Sequence, residues 1–117
     1  VTEPPDRITV IRRALELIQD RGWTTMMSTS DTSALNIRSA ISRACTDQIG
    51  SGPHRQWYEA YLDAVHAIAN ALGEGITDWE FRVKASSEVE AMLTEVIKRL
   101  ENGDIESRAS RRRPSGV

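Results

Sequence analysis

The sequence predicts an all-α domain, a compact bundle of about four helices followed by a disordered basic tail. Three observations carry this. Apolar residues recur at helical spacing in four separate stretches, and glycine-containing stops follow those stretches. One short segment alternates in the manner of a strand, but no second segment is available to pair with it. A chain of 117 residues, 39% of them hydrophobic, is sufficient for one core.

The first helix is expected from about Asp6 to Arg21. Pro4 and Pro5 block an earlier start, and Asp6 suits the positive end of the helix dipole. Ile8, Ile11, Leu15 and Ile18 form one stripe, Gly22 terminates it, and Trp23 is placed to fold back onto it. Thr24 to Ser33 reads as a loop in which Met26 and Met27 cover the edge of the core. A second helix is expected over Ser33–Ile49, with Ile37, Ile41, Ala44 and Cys45 inward, ended by Gly50-Ser51-Gly52-Pro53.

The third helix is expected from about Pro53 to Leu72. Trp57, Tyr61, Val65, Ile68 and Leu72 form its main stripe, which Tyr58, Leu62 and Ala69 widen. So broad an apolar face belongs to a central helix or to half of an interface. Ile76–Lys84 reads as an extended connection pinned to the body by Trp79 and Phe81. The last helix is expected over Ser87–Asn102, with Ser87 and Glu90 at capping-box spacing and Val89, Met92, Leu93, Val96, Ile97 and Leu100 inward. The remainder, GDIESRASRRRPSGV, is too polar to add to a core. The chain thus divides into a helical domain at 1–103 and a tail at 104–117.

Charge follows the same division. All 17 acidic residues lie at or before Glu106 with 11 of the 15 basic ones, whereas Arg108, Arg111, Arg112 and Arg113 lie beyond it. An acidic body repels nucleic acid, so any contact with phosphates falls to those four arginines and would be weak, salt-sensitive and indifferent to sequence. The turn between the second and third helices superficially resembles a helix-turn-helix, but the would-be recognition helix exposes Glu59, Asp63 and Asn70.

The residues give little support to an enzyme. His54 and His66 belong to no metal-ligand spacing, and Cys45 is the only cysteine, best read as a small buried hydrophobe. The carboxylates are scattered along solvent faces, and there is no phosphate-binding glycine loop or nucleophile elbow. No catalytic residue, metal ligand or cofactor is expected. No apolar run is long enough to span a membrane and no secretory signal opens the chain, which suggests a cytoplasmic protein.

Three segments resemble a family of small actinobacterial and actinophage proteins of unknown function, DUF6197. They are the opening IRRALELIQDRGW, the central ALNIRSAISRA and the closing ALGEGITDWEFRVKASSEVEAML. In order, these are similar to the family's amphipathic helix ending in Arg-Gly-Trp, its small-residue-rich helix, and its Trp-containing segment leading into a capped last helix. Where family members carry cysteines, this chain has Thr24 and Asn36. The family's Trp-Asn-Asp is replaced by Trp79-Glu80-Phe81. The resemblance implies fold and origin and supplies no activity.

The expectation is therefore a non-enzymatic interaction protein that binds another protein or a second copy of itself. Its surface would be Trp57, Tyr58, Tyr61 and Leu62. The alternative is a nucleic-acid-associated regulator acting through Arg108, Arg111, Arg112 and Arg113.

Overall fold

The computed structural model describes residues 6–25, 34–50, 52 and 54–103. Five helices occupy them: α1 (Arg7–Arg21), α2 (Ile37–Ile49), α3 (Arg55–Leu72), α4 (Ile76–Arg82) and α5 (Ser86–Glu101). Among the described residues there is no strand, only one isolated parallel bridge between Trp23 and Leu35. The all-α fold is as the sequence predicts, with one helix more. The tail beyond Gly103, with its four arginines, lies outside the described residues, as do Met26 and Met27.

Helix α1 begins as its sequence suggests. Asp6 Oδ1 accepts from the Thr9 N–H at 2.8 Å, and that backbone bond holds the Asp6 carboxyl below its ordinary range. At the other end Gly22 adopts φ 89, a conformation costly for any residue with a Cβ, and its N–H returns to Ile18 O. Trp23 and Leu35 then run alongside one another through Thr24 N to Leu35 O and Leu35 N to Gly22 O. Because Leu35 is held extended there, α2 starts at Ile37 rather than at Ser33. Asn36 caps it, its Oδ1 accepting from Ser39 N at 2.7 Å.

The start of α3 also falls later than the sequence suggests. His54 is its N-cap, with Nδ1 accepting from Trp57 N at 3.3 Å. The first turn of α5 departs from expectation in its partners. Ala85 is the N-cap, and Glu88 Oε2 accepts from the N–H groups of Lys84 and Ala85. Ser87 is not the capping residue; instead Ser86 Oγ donates to Glu90 within the helix.

Ile76–Lys84 is not an extended connection: most of it is helix α4. Gly75 opens it, Asp78 lies in the first turn and Arg82 in the last, charges that suit the two ends of the dipole. The alternation seen in the sequence is coincidental. At helical spacing Ile76, Trp79, Glu80 and Val83 share one side, and all four are buried or half-buried. Phe81 does not pin the segment to the body, since it is 74% exposed. Arg82 instead closes the turn before α4 with a bidentate ion pair to Glu74.

The core is built around α1, which packs against α2, α3 and α5. It contributes Val10, Ile11, Ala14, Leu17 and Ile18; α2 contributes Ile37, Ala40, Ile41, Ala44 and Cys45; α5 contributes Val89, Leu93, Val96, Ile97 and Leu100. Helix α3 differs from its expected stripe. Its buried positions are Ala60, Ala64, Val65, Ala67 and Ile68, whereas Trp57, Tyr61 and Leu72 are half-buried against the core. Small side chains on the inward face let α3 approach its neighbours closely and displace its large residues toward the edge.

Cys45 is fully buried, and burial alone pushes its thiol up to about 11. Iodoacetamide at about pH 8 is therefore expected to label the native chain slowly and the urea-unfolded chain rapidly. The pH dependence follows from the same shift. The unfolded thiol ionises near 9.0 while the folded one resists until about 11, so this contribution to stability is complete below 9.0 and falls across that interval. Denaturant midpoints measured across it, for the natural chain and Cys45→Ala, check the sign.

Candidate functional site

Two places on the surface combine exposed aromatic side chains with fixed polar partners. The first is the corner where α3 begins. Trp57 and Tyr61, one helical turn apart, lie parallel with ring centroids 5.3 Å apart, and Tyr58 meets Trp57 edge-on at 5.9 Å. The Trp57 indole N–H donates to Thr46 Oγ1 of α2 at 3.2 Å. Gly52 lies so close to this indole that a Cβ there would stand 2.4 Å from the ring. The indole is therefore held by neighbours in α2, α3 and the intervening turn, and Tyr58 is left 52% exposed beside it.

The four expected interface residues are thus brought to one end of α3, but not on equal terms. Tyr58 is exposed, while Trp57, Tyr61 and Leu62 are half-buried. The expected nucleic-acid residues Arg108, Arg111, Arg112 and Arg113 lie outside the described residues. Among the described residues no group of three or more His, Cys, Asp or Glu side chains is placed to hold a metal ion. No helix among them is long and apolar enough to cross a membrane.

The second place lies at the opposite end of α2. Glu80 is a carboxylate of 7% exposure, the one buried polar or charged side chain among the described residues. Its Oε2 accepts from the Trp23 indole N–H at 2.7 Å and from the backbone N–H of Ile37 at 2.8 Å. Ile37 opens α2, so this N–H has no partner within the helix and the carboxylate faces the positive end of the dipole. Together with Asn36, Glu80 is a second cap, supplied by another helix. The same side chain lines an open cleft of about 80 Å³ with Thr25, Asn36, Arg38, Thr77 and Phe81.

Glu80 departs from the expectation that every carboxylate rests on a solvent face. Its residue type gives no hint of burial. Its position four residues after Ile76 does, once the segment is read as helical. Helix α4 thus gives the cleft Thr77, Glu80 and Phe81. The model of a family of unknown function, DUF6197, matches residues 2–99. The chain belongs to that family.

No curated protein and no solved structure matches the chain. The DUF6197 match covers all five helices apart from the last two residues of α5. Both aromatic places therefore lie inside the DUF6197 domain. Trp23, Trp57 and Trp79 all pack against the core of this domain. Two of them also donate a hydrogen bond to a helical side chain distant in sequence, Trp23 to Glu80 of α4 and Trp57 to Thr46 of α2.

Proposed function

We propose that this DUF6197 domain is a non-enzymatic binding module of the cytoplasm, encoded by an actinobacterium or its phage, that docks another protein on the corner where α3 begins. The observation that carries this reading is Tyr58, 52% exposed on top of an immobilised Trp57–Tyr61 stack. A large amphipathic ring held in place before contact loses little conformational entropy on binding, which is why rigid aromatic residues dominate interface energetics. Leu62 extends the same corner with apolar surface. A second copy of the chain is one protein such a surface would accept.

The test is Tyr58→Ala, which removes the exposed ring and leaves Trp57 bonded to Thr46. The variant is expected to keep its circular dichroism spectrum and melting temperature and to bind its partner at least about tenfold more weakly. If the partner is a second copy, sedimentation velocity shows a concentration-dependent dimer that the variant lacks. A folded Tyr58→Ala chain that retains its partner, or its dimer, removes the corner from consideration.

A further inference from the structure

The cleft beside Glu80 brings together groups that its structural role leaves unused. A carboxylate has room for about four hydrogen bonds, two at each oxygen. Trp23 and Ile37 take both places on Oε2, and among the described residues nothing donates to Oε1. Among the described residues no cation pairs with Glu80 either, although Arg38 lines the same cleft. The α2 dipole offsets only part of a buried negative charge. One carboxylate, with no described donor on Oε1, and one exposed cation thus border a single small space. Thr25 and Thr77 add hydroxyl groups, and the exposed Phe81 ring stands at the rim.

We infer that this cleft binds a small amino-carboxylate zwitterion, its ammonium on Glu80 and Phe81 and its carboxylate on Arg38. The ammonium supplies three donors to Oε1 and to the threonine hydroxyls, and the face of Phe81 attracts a cation. The Arg38 guanidinium suits a carboxylate, which it can hold through two parallel N–H bonds. A ligand with one charge meets one complementary group and one repelling group, so the lining itself selects for both charges in one molecule. About 80 Å³ admits a ligand of a few heavy atoms. The spacing of the two charges then decides which chain length fits. This site is at the other end of α2 from the Trp57–Thr46 contact, although the Arg38 charge also reaches Tyr61. The Trp23 resonance reports on the cleft and not on protein docking at the corner.

Trp23 provides the readout, because its indole N–H is bonded to the carboxylate that would receive the ligand. The full chain, labelled with nitrogen-15, is titrated with glycine, β-alanine and γ-aminobutyrate, and the Trp23 indole resonance is followed. At least one of the three is expected to move it saturably and to bind at least tenfold more tightly than methylammonium or acetate. Arg38→Gln, at an exposed position, is expected to weaken binding of that zwitterion about tenfold or more, and Phe81→Ala severalfold. Glu80→Gln is expected to abolish binding while its carbonyl oxygen keeps the bonds from Trp23 and Ile37. If Glu80→Gln does not fold, Arg38→Gln and Phe81→Ala decide alone. No saturable shift with any zwitterion overturns the assignment. So does a shift that survives Arg38→Gln unchanged, or one that methylammonium reproduces at equal affinity.

Discussion

Glu80→Ala is expected to destabilise the domain by about 3–5 kcal/mol, the range for removing one partner from a buried charged network. The change strands two donors at once. The Trp23 indole N–H loses its acceptor, and so does the Ile37 N–H that opens α2. Each was bonded to a charged oxygen, the stronger class of hydrogen bond, and each would be left partly or wholly out of water. Against a total stability of roughly 5–15 kcal/mol, such a loss is a large share. Glu80→Gln should cost less, about 1–2 kcal/mol, because one amide oxygen can accept both bonds as neutral ones. Urea unfolding followed by circular dichroism and by tryptophan fluorescence measures the two. Equal losses for alanine and glutamine would show that the charge, not the bonding geometry, holds the three segments together.

The second large effect is expected at Ile41, which is fully buried at the middle of α2. Ile41→Ala should cost about 2–5 kcal/mol, and Ile41→Val about 0.5–1.5 kcal/mol. Helix α2 packs on α1, α3 and α4, so its neighbours cannot all move in to fill the space left by the missing carbons. Thr94→Ala is the comparison. Thr94 is exposed on α5 and its hydroxyl only returns to Glu90 O, so its loss should stay within about 0.5 kcal/mol. A loss at Ile41 no larger than at Thr94 would place α2 outside the cooperative core.

Where the sequence was informative, the signal was periodic. The stripes in α2 and α5 and the cap at Asp6 were legible because each repeats or sits at a fixed offset that a helix requires, whereas in α1 Val10 and Leu17 are buried and the expected Ile8 and Leu15 only half-buried. The boundaries of α2 and α3 were less legible. Leu35 is held extended by Trp23, and His54 is a cap that its residue type seldom provides. Helix α4 was hidden because seven residues span only about two turns, over which alternation and helical spacing fit the same letters.

The candidate sites followed the same logic. The exposure of Tyr58 was legible because the α3 face is too wide to bury completely. The burial of Glu80 was missed because it comes from residues 57 and 43 positions away, and no local pattern encodes that. The alanines facing inward on α3 were equally silent. They mark the core through what they allow to approach, while the large residues that dominate the sequence pattern sit at its edge.

The pairing of α1 with α5 bears on how the chain matures as it is made. Arg12 of α1 meets Glu101 of α5 at 2.7 Å across 89 positions of sequence, and between them the two helices cover each other's apolar stripes. At ordinary rates of translation the later helix follows the earlier by roughly 5–15 s. During that interval α1 can rest on α2 and α3 alone, with Ile11 and its neighbours awaiting their last cover. Until Leu100 has emerged, a nascent chain therefore leaves part of the α1 stripe uncovered and open to chaperones.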